Sequence, residues 1–139
     1  MPKIIIICTG NSVRSQMAHG FFENHLNKSA EIYSAGTNPS FVHPRAIIVM
    51  KEIGIDISKH SSNFVGDYDN IEFDFIITVC DSAKESCPFL PGKGKRIHHP
   101  FNDPSSVWGS EDEILDSFRK TRDQIKNFCL NFIKENNLK

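Results

Sequence analysis

Residues 3–15 read Lys-Ile-Ile-Ile-Ile-Cys-Thr-Gly-Asn-Ser-Val-Arg-Ser, an apolar run followed by a short polar stretch. Four consecutive isoleucines are typical of a central β-strand that is covered on both faces. From Arg14 to about Asn27 the apolar residues recur at helical spacing. The stretch 8–15, called the Cys8 loop below, therefore connects the end of a buried strand to the start of a helix.

The rest of the chain repeats this alternation. Further strands are predicted at Glu31–Ala35, Phe73–Val79 and Arg96–His99, and further helices from Pro44 to a stop at Gly54 and from a Ser110–Glu113 capping box onward. Alternating strands and helices predict an α/β fold, a three-layer sandwich with a central four-stranded parallel sheet and helices on both faces. At 139 residues, we expect a single domain over 1–139.

Composition excludes several classes of protein. The formal net charge is −1 and the basic residues are scattered, which argues against a nucleic-acid-binding face. No apolar stretch approaches the ~20 residues that span a bilayer, and residues 1–7 lack the features of a signal peptide. We therefore expect a soluble, cytoplasmic protein whose four cysteines are thiols by default.

The Cys8 loop has the composition of an oxyanion site with a nucleophile at its floor. Backbone N–H groups at a helix start attract anions, and the Arg14 guanidinium can hold two oxygens of one anion. Together these groups should favour the Cys8 thiolate, toward which Ser15 can donate its hydroxyl. Gly10 and Asn11 tolerate the left-handed backbone angles that such a loop needs. The predicted anion-binding residues are Thr9, Gly10, Asn11, Ser12, Val13, Arg14 and Ser15.

Two further cysteines lie beyond the third predicted strand. Cys80 follows that strand directly, so Cys8 and Cys80 both lie at carboxyl ends of strands, where ligands bind in parallel sheets. Cys87 follows seven residues later; on a helix the two thiols would lie about 10 Å apart, beyond the reach of a disulfide unless the segment bends. The spacing fits zinc ligation poorly. Redox chemistry together with Cys8 is favoured over two structural thiols.

A thiolate that displaces an oxygen from a bound oxyanion needs an acid to protonate the leaving group. Asp103, followed by Pro104, is the best candidate, because its loop also follows the carboxyl end of a strand. An Asx turn before the proline explains this residue equally well. Cys129 lies on the apolar stripe of the last helix and is expected in the core.

With these residues in place, the chain resembles the thioredoxin-coupled arsenate reductases, which are built on the low-molecular-weight tyrosine phosphatase fold. The resemblance covers nearly the whole length. Besides the Cys8 loop it includes the stretches 34–37, 49–58, 78–80 with Cys87-Pro88, Asp103-Pro104 and 109–114. The Cys8 loop is shared with the phosphatases, whereas Cys80 and Cys87 distinguish the reductases. Ser105 and Ser106 stand where the phosphatases usually place tyrosines.

The resemblance implies a cascade of thiol–disulfide exchange. The Cys8 thiolate would attack arsenate while Asp103 protonates the departing oxygen and Arg14 holds the other oxygens. Cys80 would then attack the Cys8 sulfur, forming a Cys8–Cys80 disulfide and releasing arsenite. Cys87 would attack Cys80, leaving a Cys80–Cys87 disulfide for thioredoxin to reduce. The implied partners are arsenate and thioredoxin, with no bound cofactor and a monomeric protein.

The resemblance also bears on metal binding. Some relatives bind potassium beside the Cys8 loop through Asn11, Ser34 and two acidic side chains, at positions that here hold His19 and Asn63. Because the loss of both carboxylates removes most of the attraction for a hard cation, we predict no alkali-ion site, and no metal is expected.

Two other functions stay open. A small phosphomonoester or phosphotyrosine phosphatase would use Cys8, Arg14 and Asp103 alone, since phosphate and arsenate share shape and charge. A binding module that senses oxyanions or redox state would need the same anion site without turnover, and an activated thiolate beside an acid exceeds that need.

Overall fold

A four-stranded parallel sheet forms the centre of the computed structural model, which describes residues 1–81 and 89–138. Its strands are β1 (Lys3–Cys8), β2 (Glu31–Gly36), β3 (Phe75–Thr78) and β4 (Lys95–His98), in the spatial order β2-β1-β3-β4. Every pairing is parallel. The predicted four-stranded parallel sheet is therefore confirmed.

Both faces of the sheet are covered. The helices α1 (Arg14–Leu26), α2 (Pro44–Lys51) and α3 (Glu111–Glu135) supply side chains to one buried cluster together with Ile4 and Ile6 of β1. A second cluster joins Ile5 and Ile7 of β1 to residues of the 3-10 helix Val65–Tyr68 and to Phe73 and Leu90. Because all four isoleucines are fully buried, the apolar run makes β1 the centre of both cores.

The structure moves several predicted boundaries by a few residues. β3 covers Phe75–Thr78 instead of 73–79, because its pairing with β1 begins at Phe75 and ends at Thr78. β4 covers Lys95–His98, one residue earlier than predicted. α2 ends at Lys51, and Gly54, with φ of 83°, reverses the chain three residues later.

The last helix agrees with the prediction. Ser110 accepts a hydrogen bond from the Glu113 N–H while the Glu113 carboxylate accepts one from the Ser110 N–H. This is the predicted capping box. The apolar face of α3, including Cys129, packs into the first core cluster.

Two glycines allow segments to approach the region around the Cys8 loop. A Cβ at Gly20 of α1 would lie 2.8 Å from Ile57, so its absence lets the segment 55–57 pack directly on the helix. A Cβ at Gly36 would lie 2.3 Å from the Thr9 carbonyl oxygen. The end of β2 and the loop that follows Ile57 are thereby brought against the Cys8 loop.

Candidate active site

A small pocket of about 50 Å³ opens at the carboxyl end of β1. Since about 10–15 Å³ on this measure holds one water molecule, the cavity has room for a few water-sized groups, which suits a small anion rather than a bulky organic group. Cys8 lies at its floor and is almost fully buried. Its lining is formed by Cys8, Gly10, Ser12, Val13, Arg14, Asp103 and Ser105. Larger cavities lie elsewhere, such as one of about 490 Å³ between the loop 99–102 and α3, but the Cys8 thiol does not line it.

The first turn of α1 directs its positive end toward this pocket. The helix begins at Arg14, which lines the cavity, and its N-cap residue Val13 offers no capping side chain. The N–H groups of a helix start attract anions when no side chain satisfies them. An oxyanion in the pocket would occupy the place of the missing cap.

The Cys8 sulfur has a polar partner on the same helix. The Ser15 hydroxyl lies 2.9 Å from Sγ, and Asn11 Nδ2 donates to the same hydroxyl oxygen at 2.7 Å. Because Asn11 occupies a lone pair of that oxygen, the Ser15 proton is available to the sulfur. This contact is the one predicted from the sequence.

Arg14 is held between α1 and the loop after β4. Its side chain is buried, its Nη1 donates to the Phe101 carbonyl at 3.3 Å, and its Nη2 lies 3.7 Å from Asp103 Oδ2. The guanidinium therefore reaches the pocket from a fixed position. A planar fork held in this way suits two oxygens of a tetrahedral anion.

Asp103 combines the two roles that the sequence left open. Its Oδ1 accepts hydrogen bonds from the Ser105 N–H at 3.0 Å and the Ser105 hydroxyl at 2.7 Å, which is an Asx turn. Its Oδ2 faces Arg14 at the pocket. One carboxylate oxygen thus shapes the loop while the other borders the site where an anion would bind.

Asn11 shapes the Cys8 loop more than Gly10 does. Asn11 adopts a φ of 47°, is completely buried, and accepts a hydrogen bond from the Asn63 N–H at 2.8 Å. Gly10 does not adopt a positive φ, and a Cβ at this position would meet no atom closer than 3.8 Å. The left-handed backbone angle that glycine would allow is therefore used at Asn11 and not at Gly10. Thr9, Asn11 and Ser15 do not line the pocket, so they support the loop from behind.

The other predicted cysteines lie in different environments. Cys80 lies two residues beyond the end of β3, is fully buried and belongs to the same core cluster as Cys8. The neighbouring strands carry them to this end of the sheet, where the Val79 N–H donates to the Ile7 carbonyl at 2.9 Å. Cys87, and with it the predicted Cys80–Cys87 pairing, lies outside the described residues. Burial raises the pKa of the Cys129 thiol, as expected for a core cysteine.

One cluster near the Cys8 loop escaped the sequence analysis. His19 and Glu23 of α1 meet His60, which arrives from the loop after Ile57. Hydrogen bonding with His19, aided by His60, holds the pKa of Glu23 at about 2, and burial lowers the pKa of His60. The i,i+4 spacing of His19 and Glu23 was a readable signal. Nothing local predicts that His60, 37 residues beyond Glu23, joins them.

The two positions that bear on alkali-ion binding are both engaged in hydrogen bonds. His19 Nδ1 lies 2.7 Å from the Ser34 hydroxyl, and the Asn63 amide donates to the Ser34 carbonyl at 3.4 Å. Neither side chain carries a formal negative charge. The absence of an alkali-ion site stays a prediction.

Among the described residues, none of the helices is both long and apolar enough to cross a membrane.

Comparison with known proteins identifies the relatives of this fold. Residues 3–139 match the family model described as low molecular weight phosphotyrosine protein phosphatase. The chain is 40% identical over 122 residues to an arsenate reductase of Halalkalibacterium halodurans, covering 88% of each chain. It is 42% identical over 123 residues to arsenate reductase 1 of Staphylococcus saprophyticus, covering 88% of this chain and 89% of the relative.

Solved structures agree with these relatives. A structure described as an arsenate reductase in oxidized state superposes with a TM-score of 0.81 at 30% identity, covering 97% of this chain and 98% of the other. A low molecular weight protein tyrosine phosphatase from T. tengcongensis superposes with a TM-score of 0.76 at 24% identity, covering 97% and 99%. At that identity, the second likeness shows the fold alone.

Proposed function

The chain belongs to the low molecular weight phosphotyrosine protein phosphatase family, and from its similarity to arsenate reductases within that fold we propose that it reduces arsenate to arsenite. The observation that carries this proposal is the buried Cys8 thiol at the floor of an anion-sized pocket bordered by Arg14 and Asp103. The curated relatives at 40–42% identity, which are named arsenate reductases, support arsenate as the substrate.

In the proposed first step, the Cys8 thiolate attacks arsenic and forms a sulfur–arsenic bond. Ser15 stabilises the thiolate, and Arg14 with the N–H groups at the start of α1 holds the remaining oxygens. Asp103 Oδ2 donates the proton with which one oxygen leaves as water. The position of Oδ2 at the pocket supports this role, because Oδ1 is already occupied by Ser105.

In the second step, the Cys80 thiolate attacks the Cys8 sulfur and the electron pair of the sulfur–arsenic bond moves to arsenic. Arsenic(V) becomes arsenic(III), arsenite leaves, and two thiols become the Cys8–Cys80 disulfide. The burial of both cysteines in one cluster, at the ends of adjacent strands, supports this pairing. The electrons come from thiols, so this chemistry needs no prosthetic group.

We propose that Cys87 then attacks Cys80 and that thioredoxin reduces the resulting Cys80–Cys87 disulfide. This step rests on the sequence, because Cys87 lies outside the described residues. A dithiol reductant of the thioredoxin class, which is abundant in reducing compartments, balances the two electrons spent on arsenic. We also propose that the chain acts in the cytoplasm, where such reductants keep thiols reduced, and that it acts as a monomer.

Phosphatase activity is the second candidate, and the pocket disfavours it as the main function. Ser105 lines the cavity at the Asp103 loop, and its hydroxyl is turned to Asp103. A serine offers no flat apolar surface for the ring of a phosphotyrosine. Trp108 is 93% exposed and, like Phe41, does not line the pocket.

The experiment measures arsenite production with thioredoxin, thioredoxin reductase and NADPH, beside hydrolysis of para-nitrophenyl phosphate by the same preparation. We expect sustained arsenite release and slow hydrolysis. Efficient hydrolysis without thioredoxin-dependent arsenite release would assign the chain to the phosphatases.

A further inference from the structure

A compact group of nitrogen and oxygen ligands lies beside α1, outside the pocket of the proposed reaction. His19 Nε2 lies 3.2 Å from Glu23 Oε2, and His60 Nε2 lies 2.8 Å from Glu23 Oε1. The ligand atoms of the three residues all lie within 4.8 Å of one another, and the imidazole centroids are 4.3 Å apart. Both histidines thus direct their Nε2 atoms at the Glu23 carboxylate.

The neighbouring Gln16 fixes the protonation of the His60 ring. Gln16 Nε2 donates to the carbonyls of Asn11 at 3.1 Å and Ser61 at 3.0 Å, so its amide orientation is determined by two acceptors. The remaining amide atom, Gln16 Oε1, can only accept a hydrogen bond, and it lies 3.0 Å from His60 Nδ1. His60 consequently carries its proton on Nδ1 and presents a lone pair on Nε2 in the neutral ring.

This tautomer leaves two electron-rich atoms facing each other. The His60 Nε2 lone pair and Glu23 Oε1 are 2.8 Å apart, a distance that requires a positive centre between them or beside them. A second proton on the His60 ring, a proton on Glu23 or a bound cation supplies it. Only the cation would also engage His19 Nε2, which faces the same carboxylate at 3.2 Å.

His19 is arranged in the same way. Its Nδ1 lies 2.7 Å from the Ser34 hydroxyl, which can accept the Nδ1 proton and leave Nε2 free to coordinate. Metal-binding histidines commonly donate their other ring N–H to such a partner, which fixes ring and tautomer. Gln16 and Ser34 provide this support for the two imidazoles.

We propose that His19 Nε2, His60 Nε2 and the Glu23 carboxylate bind a divalent transition-metal ion of the zinc class. Two imidazoles and one carboxylate form a three-ligand set for Zn²⁺, with a fourth position for water. Ligands at about 2.0–2.1 Å from zinc in tetrahedral geometry lie about 3.4 Å from each other, and the two nitrogen–oxygen separations here are 3.2 and 2.8 Å. Glu23 is half exposed, so an ion can enter from solvent.

The ligand set also selects against the hard alkali ions. Potassium and its relatives prefer oxygen ligands, whereas imidazole nitrogen suits zinc, nickel and copper. The ion would connect α1 to the loop around His60. In that loop the Ser61 carbonyl accepts a hydrogen bond from Gln16, and the Asn63 N–H donates one to Asn11. Its expected role is to stabilise the fold around the Cys8 loop.

The test is titration of Zn²⁺ into the reduced, chelator-treated chain by calorimetry, together with the melting temperature and the zinc X-ray absorption spectrum. We expect one zinc per chain, a raised melting temperature, and a first shell of nitrogen and oxygen only. Glu23→Gln should weaken the affinity at least about tenfold and His60→Gln about a hundredfold. The control His98→Gln, which removes an exposed histidine of β4, should bind like the parent chain.

Because Glu23 lies at the surface, Glu23→Gln keeps the test valid if His60→Gln does not fold. A sulfur shell at about 2.3 Å would assign the zinc to the cysteines and overturn the proposal. So would unchanged affinity in the folded variants, or the absence of saturable binding, which would leave a proton between His60 and Glu23.

Discussion

The hydroxyl of Ser15 lies 2.9 Å from the sulfur of Cys8, and Asn11 holds that hydroxyl in place at 2.7 Å. A strand and a helix that are adjacent in sequence thus place a nucleophile at the floor of one small pocket and a hydrogen-bond donor directly behind it. A hydrogen bond to a charged group contributes about 1.5–3 kcal/mol, more than one to a neutral thiol, so this contact favours the thiolate.

The first prediction tests this contact. Ser15→Ala should slow arsenate reduction by roughly 30-fold, because the Cys8 thiolate loses a hydrogen bond that stabilises it by about 2 kcal/mol. Alkylation of Cys8 by iodoacetamide at neutral pH, followed by peptide mass spectrometry, should slow as well. Ser58→Ala, at an exposed position away from the pocket, serves as the control. Unaltered alkylation in Ser15→Ala would show that the hydroxyl only packs against the sulfur.

The second prediction separates the two roles of Asp103. Asparagine retains an oxygen that accepts from the Ser105 N–H, so Asp103→Asn preserves the Asx turn while it removes the acid. We expect the arsenate-dependent step to slow by about a hundredfold or more in single turnovers. Reduction of the preformed disulfide by thioredoxin should keep its rate. Equal slowing of both steps would count against Asp103 as the proton donor.

The third prediction concerns potassium. His19 and Asn63 carry no formal negative charge and are engaged with Ser34 and Asn11. The nearby Glu23 carboxylate already faces two imidazoles, so these side chains offer a hard cation no oxygen-rich site. Exchange of sodium chloride for potassium chloride at equal ionic strength should leave both the melting temperature and the turnover unchanged. A rise of several degrees specific to potassium would show that the site binds alkali ions.

The fourth prediction is a pH dependence of stability at the start of α2. His43 Nδ1 accepts a hydrogen bond from the Arg45 N–H at 3.1 Å. Burial, and next the charge of Arg45, lower the pKa of His43 below its ordinary value of 6.5, against the opposing effect of Asp103. The unfolded chain therefore binds the proton first, and stability should fall as the pH drops through 6.5.

Asparagine is a good N-cap that does not titrate, so His43→Asn should reduce this acid loss. Urea unfolding of both proteins on either side of pH 6.5 measures the difference, with His98→Asn as the control for removal of a titrating histidine. If His43→Asn loses as much stability in acid as the parent chain, His43 is not the group responsible.

The sequence predicted those parts of the molecule that local patterns determine. The isoleucine run located β1, the capping box at Ser110 located α3, and the Cys8 loop was correctly placed between strand and helix. The predicted strand boundaries were wrong where tertiary contacts bury a residue outside a strand. Phe73 lies before β3 yet is buried, because its ring packs into the second core cluster. An apolar pattern does not distinguish such a residue from a strand residue.

The candidate site was likewise predictable only where its residues are close in sequence or follow predicted strands. The stretch 8–15 contains Cys8, Arg14 and Ser15, which could be interpreted together. Cys80 was expected near Cys8 because both follow predicted parallel strands at their carboxyl ends. The dual use of Asp103 needed coordinates, because each carboxylate oxygen has a different partner. The cluster of His19, Glu23 and His60 depends on the packing of the segment 55–57 on Gly20, which sequence spacing does not encode.

The measurement that tests the central claim most directly is arsenite release over many turnovers with thioredoxin as the only reductant, made on Cys8→Ser, Cys80→Ser and Cys87→Ser beside para-nitrophenyl phosphate hydrolysis. Cys8→Ser should lose both activities, because a serine hydroxyl stays protonated and cannot replace the thiolate. Cys80→Ser and Cys87→Ser should retain hydrolysis near the parent level and lose sustained arsenite release. Sustained arsenite release by Cys80→Ser or Cys87→Ser would contradict the three-cysteine cascade.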